Sequence, residues 1–164
     1  MANPVMVTTP SDFEVQVVRE FNAPRELVFR AWTDPDLVKR WMAGYEGWEV
    51  TKSEADGPPR PGGTFRIEWS HKDGSFMAMT GTYREVSPPE RIVDVEVFDE
   101  AWHPGEAVNT IVFLEEEPGV TTVTLTTRFD TKEARDIAVA TGMTDGMGVS
   151  YEVLDRVLAE LVQA

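Results

Sequence analysis

From Phe13 to Phe21 the segment FEVQVVREF alternates Phe13, Val15 and Val17 with Glu14 and Gln16, the two-residue period of a half-buried strand. The period then changes. Leu27, Val28, Ala31 and Trp32 recur at helical spacing, and Leu37, Val38, Trp41 and Met42 repeat that stripe ten residues later. Pro24 and Pro35 stand at the first-turn positions, where a missing N–H is harmless, and Asp34 is a ready N-cap. The spacing predicts two short helices with one shared inner face, closed by Trp32 and Trp41.

Period two returns in six further segments: EGWEVTKSE, TFRIEWSH, SFMAMTGTYREV, RIVDVEVFD, VNTIVFLEE and VTTVTLTTRF. The third and fourth strands would be joined at Asp73-Gly74, and the last two at Pro118-Gly119. Phe65, Ile67, Trp69 and His71 fall on one strand face, and Met77, Met79, Gly81 and Tyr83 on another. Asp130 with Glu133 is read as a capping box opening a terminal helix. If continuous from Thr131 to Leu161 that helix would run about 45 Å, with Gly142, Gly146 and Gly148 as candidate points of interruption.

A strand, two short helices, six antiparallel strands and a long helix make an α+β fold, with the helices on one face of a seven-stranded sheet. Such a sheet twists and curls, and the long helix can fill the curl.

Composition narrows the partners. The 164 residues include 29 acidic and 15 basic side chains, a formal net charge of −14, with no basic run, so nucleic acid and anionic membrane are excluded as expected partners. Hydrophobic residues make up 41%, enough for a cooperative globular core. Cysteine is absent, which removes thiolate chemistry and disulfides. Nothing resembles a signal segment or a membrane span, and the expectation is a cytoplasmic protein, monomer or homodimer.

These residues carry a resemblance. NAPRELVFRAWTDPDLVKRW, PGGTFRIE, GTYREVSPPERIV and GMGVSYEVLDRVLAEL, in this order, resemble the activator-of-heat-shock-protein-90-ATPase-like branch of the START-like (SRPBCC) superfamily. The resemblance implies a helix-grip fold with a cavity between the sheet and the C-terminal helix. Chain length fits one domain, so residues 12–164 are expected as a single START-like domain, and residues 1–11, small, polar and proline-punctuated, as a flexible N-terminus. The superfamily holds ligand carriers, polyketide cyclases and a co-chaperone domain, so fold alone does not select a function.

On that basis Phe65, Ile67, Trp69, Met77, Met79 and Tyr83 line the cavity. Trp41, Phe98, Met143, Met147 and Tyr151 complete it. An aromatic and thioether lining suits a small hydrophobic or aromatic ligand; these same side chains also suffice to fill a core.

The fifth strand supports two registers. Periodicity puts Val93, Val95 and Val97 inside and Asp94 and Glu96 in water. The family's pattern instead points Ile92, Asp94, Glu96 and Phe98 inward, placing two carboxyls against an apolar pocket where burial and mutual repulsion raise their pKa.

Ligand binding is therefore the first expectation. A cyclase- or dehydratase-type enzyme using Glu96 and Asp94 with Tyr83 or His71 is the alternative. A chaperone-interaction module is the third. No cofactor is implied. Neither His71 nor His103, in the loop EAWHPGEA, forms a metal-ligand spacing with other residues. Ser70, Ser75 and Ser150 lack a nucleophile-elbow context, and Pro61-Gly62-Gly63 precedes a strand, so it is no phosphate loop. Arg91 reads as an ion-pairing pin for its hairpin, and Trp41, Trp48 and Trp102 as lids or core anchors, with the loops WHPGEA and MAGYEGW flanking the cavity mouth in the helix-grip arrangement.

Overall fold

The computed structural model describes residues 3–44, 46–100 and 106–163. After β1 (Met6–Thr8) and β2 (Glu14–Phe21) come α1 (Arg25–Thr33) and α2 (Pro35–Trp41). Six strands follow: β3 (Trp48–Ala55), β4 (Thr64–His71), β5 (Phe76–Ser87), β6 (Arg91–Phe98), β7 (Ala107–Glu117) and β8 (Val120–Phe129). The chain ends in α3 (Lys132–Ala140) and α4 (Met143–Gln163).

All eight strands form one antiparallel sheet in the order β1-β2-β8-β7-β6-β5-β4-β3. Strands β3 to β8 form a meander, and β2 joins it at β8. The helices α1 and α2 therefore carry the chain from one side of the sheet to the far edge. Register shifts at Val50/Lys52, Tyr83/Glu85 and Leu114/Glu117 mark irregularities that increase bending. The sheet wraps α4, the helix-grip arrangement.

The sheet has eight strands where seven were expected. The additional one is β1, inside the segment read as flexible, and its register runs from Met6↔Val18 to Thr8↔Gln16. Met6 and Val7 stay exposed, so backbone pairing rather than burial holds β1. Asn3 adds side-chain anchorage, donating from Nδ2 to the Glu20 carbonyl at 3.0 Å while its own carbonyl accepts from Arg19 Nε at 3.1 Å.

The two short helices form as their prolines predict. Asp34 caps α2 by accepting from the Asp36 N–H at 3.0 Å, with Pro35 at the first position. Trp41 is buried and donates from Nε1 to the Ala31 carbonyl at 2.9 Å, tying α2 to α1. Its ring lies 4.7 Å from that of Trp32, and both approach Tyr151 of α4.

The terminal helix departs from expectation in its cap, and its interruption falls at one of the three expected glycines. Its cap is Thr131, whose Oγ1 accepts from the Ala134 N–H at 3.0 Å, while Asp130 instead accepts from the Glu106 N–H at 3.3 Å at the start of β7. Gly142, at φ +82°, breaks the helix between α3 and α4, because only glycine enters that region without steric cost. Gly146 and Gly148 remain helical. The gripped element is thus the 21-residue α4, about 31 Å long. Its Leu154, Val157 and Leu158 bury into the main core with Phe21, Val28 and Phe113.

Candidate functional site

Between the concave face and α4 lies a cavity of about 490 Å³. Its wall is built strand by strand from alternate residues. Phe65, Ile67 and Trp69 come from β4, and Met77, Met79 and Tyr83 from β5. Strand β6 adds Ile92, Asp94, Glu96 and Phe98. Trp41 closes the α2 side, and Met143, Met147 and Tyr151 form the α4 side. The lining includes Ser53, Glu54 and Ala55 of β3, the terminal strand of the sheet, and Thr141 beside the helix break.

Close packing in the wall depends on one glycine. Phe65 lies directly across from Gly81 of β5, and its ring occupies the space where a Cβ would stand: Phe65 Cζ is 2.0 Å from that position. This lets Phe65 lie beside Tyr83, with ring centroids 5.0 Å apart. Trp69 stacks near Phe98 at 6.3 Å and donates from Nε1 to the Met42 carbonyl at 2.7 Å, fixing the α2–β3 connection to the wall. The Gly44 N–H donates to Ser150 Oγ at 2.8 Å, so the same connection is also fastened to α4.

Strand β6 takes the second of its two registers. Asp94 is 4% exposed and lines the cavity with Glu96, whereas Val97 is 45% exposed on the outer face. The valines are kept by strand propensity and cross-strand neighbours, Val95 lying between Thr82 and Val108. The periodicity reading, with carboxyls in water, is overturned.

The carboxyls belong to a polar row that crosses four strands at one level. Tyr83, Asp94, Asn109 and Thr127 are successive Cα partners from β5 to β8. Thr127 Oγ1 donates to Asn109 Oδ1 at 2.6 Å, which turns the amide so that Nδ2 donates to Asp94 Oδ1 at 3.1 Å. The same amide hydrogen-bonds Glu96. Burial pushes the Asp94 carboxyl well above the usual carboxylate range, the neighbouring Glu96 adds to this, and the Asn109 hydrogen bond opposes it. Burial likewise raises Glu96. Tyr83 is raised by burial first and by the two acids second.

Asn109 and Thr127 were not among the expected site residues. Their signal was present: Asn109 falls in phase with buried Ile111 and Phe113, and Thr127 with buried Val123 and Phe129, so each is a polar residue on an apolar face.

Other candidates are placed elsewhere. His71 is at the hairpin end, 5.0 Å from the Trp48 ring, with Nδ1 accepting from the Asp73 N–H at 3.1 Å, and does not line the cavity. Its Nε2 lies where a Cβ on Gly47 would stand. Trp102 and His103, like Tyr45, lie outside the described residues. Arg91 pairs with Glu85 at 2.7 Å, as its hairpin position suggests. On α4, the buried Tyr151 hydroxyl has no hydrogen-bond partner among the described residues.

The sequence model for activator of Hsp90 ATPase homolog 1-like protein matches residues 22–159. The chain belongs to this family. Among solved structures, a Rhodobacter sphaeroides protein is similar at 29% identity and a TM-score of 0.86, over 96% of this chain and 99% of its own. A Mycobacterium smegmatis protein is 21% identical with a TM-score of 0.83 over 96% and 99% of the two chains. A Nitrosomonas europaea protein is 22% identical with a TM-score of 0.81 over 94% and 99%. The last two likenesses concern the fold alone. No functionally curated protein matches the sequence. This family, with its START-like fold, is commonly associated with ligand binding. Among the described residues no helix is long and apolar enough to cross a membrane.

Proposed function

We propose that the protein binds a small, mainly apolar molecule in the cavity between the sheet and α4. The observation that carries this reading is the roughly 490 Å³ space itself, walled by Trp41, Phe65, Trp69, Met77, Met79 and Met147. That size lies in the range of small-molecule sites, about 300–1,000 Å³. Thioethers adapt to irregular guests, and aromatic faces contribute large apolar area. Denaturant unfolding in the presence of aromatic and aliphatic compounds tests it: a guest at 100 times its dissociation constant adds about 2.7 kcal/mol of stability. Ala107→Phe fills the cavity beside Glu96 and is expected to abolish that gain without unfolding the protein.

Acid/base catalysis is a second reading, favoured by the inward pair Asp94 and Glu96. One carboxyl kept protonated beside one ionised carboxylate can give and take a proton on the same guest. A carbonyl compound would lose an α-proton to the carboxylate while its oxygen gains one from the acid, yielding the enol. Hydrogen–deuterium exchange at such α-carbons, followed by NMR, tests it. Exchange absent in wild type, or unchanged in Glu96→Gln, removes this reading.

A further inference from the structure

We infer that the favoured guest is an apolar amine, an apolar body ending in one ammonium group that sits against Asp94 and Glu96. This rests on the reading of the cavity as a binding site and specifies its ligand class. The first argument is charge pairing across the molecule. Among the described residues three acidic or basic side chains are deeply buried: Arg19, Arg135 and Asp94. Arg19 meets Asp155 at 2.6 Å and Arg135 meets Asp136 at 2.9 Å. Asp94 has no cation among the described residues; its hydrogen-bond partner is the neutral amide of Asn109.

The second argument is the sign of the wall. Asp94, Glu96 and, at the sheet edge, exposed Glu54 line the cavity, and no Lys, Arg or His among the described residues does. A guest carboxylate would meet like charge there at low dielectric, whereas an ammonium brings the missing opposite charge.

The third argument is hydrogen-bonding capacity. Thr127 fixes Asn109 as a donor to the acids, and one amide cannot fill the lone pairs of two carboxyls. A primary ammonium adds three donors. The Tyr83 ring, whose residue is the Cα partner of Asp94, provides an aromatic face suited to a cation, with Phe65 beside it. On the helix wall Tyr151 carries the one buried side-chain polar atom without a partner among the described residues, an independent sign that this interior is not polar-complete by itself. The net charge of −14 draws cations toward the protein at long range.

The test uses calorimetry on the full chain with naphthyl, biphenyl and decyl scaffolds, each as primary amine, alcohol and carboxylate. On any scaffold that binds, the amine is expected to bind at least about tenfold more tightly than the alcohol, and the carboxylate more weakly than either. In Asp94→Asn/Glu96→Gln the amine loses at least about tenfold while the alcohol changes by less than about threefold. Glu96→Gln alone, at the less buried site, reads the same split should the double variant not fold. Equal binding of amine and alcohol, or tightest binding of the carboxylate, overturns the inference and leaves the cavity reading standing. Absence of binding by all nine compounds overturns both.

Discussion

Arg19 of β2 and Asp155 of α4 face each other as a bidentate pair, with Nη1–Oδ1 at 2.6 Å and Nη2–Oδ2 at 2.7 Å. Arg19 is only 2% exposed, and it also donates to the carbonyls of Asn3 and Glu20. One side chain thus joins the N-terminal segment, the sheet and the gripped helix. Asp155→Ala leaves the guanidinium buried without its partner, and a loss of about 3–5 kcal/mol is expected in urea unfolding. Asp155→Glu, which keeps the charge, should lose less.

The two cavity acids predict an unusual dependence of stability on pH. Their folded pKa values are raised above the ordinary 3.8 and 4.5, so between those values and the folded ones the native state holds more protons than the unfolded chain. The sign follows: their contribution is fully present at low pH and lost as pH rises through the folded pKa. Stability without a guest should therefore fall as pH rises above the ordinary carboxylate range, by about 1.4 kcal/mol for each pH unit over which one carboxyl stays protonated only when folded. The other titratable groups lining the cavity among the described residues are Tyr83 on β5, Tyr151 on α4 and Glu54 on β3. Asp94→Asn/Glu96→Gln should flatten the slope, measured as unfolding free energy against pH.

Gly81→Ala tests the packing of the wall. The new methyl group collides with the Phe65 ring, which must turn out of its place beside Tyr83. A loss of about 1–3 kcal/mol is expected, as for other overpacked cores. Combination with Phe65→Ala removes the collision, so the double variant should lose less than the sum of the single losses.

Thr127→Val removes the hydroxyl that orients Asn109 and leaves buried Oδ1 without that donor. The expected cost in urea unfolding is about 1–3 kcal/mol, with Thr127→Ser recovering most of it.

Much of the fold was legible because its signals are local. Pro24, Asp34 and Pro35 mark helix starts through backbone geometry, and alternation in β4 and β5 brings Phe65 through Tyr83 to one wall. Strand β6 was not legible from its own residues, since Val93, Val95 and Val97 on one face compete with Ile92 and Phe98 on the other. What decides is which face the neighbouring strands bury, and that is non-local. The polar row has the same character: Asn109 and Thr127 acquire meaning only when β7 and β8 bring them beside Asp94. Strand β1 escaped because it buries little and is held through its backbone. The break at Gly142 was foreseen only as one of three glycines, because a positive φ depends on where the helix must turn.

The position of the cavity at the β3 margin has a kinetic consequence. Strand β3 is a terminal strand of the sheet, and its outer backbone has no neighbour in the strand order. Passage of a visitor along that side need sever no rung of the ladder. For the guest proposed above, exchange along this margin is therefore expected to be faster than global unfolding.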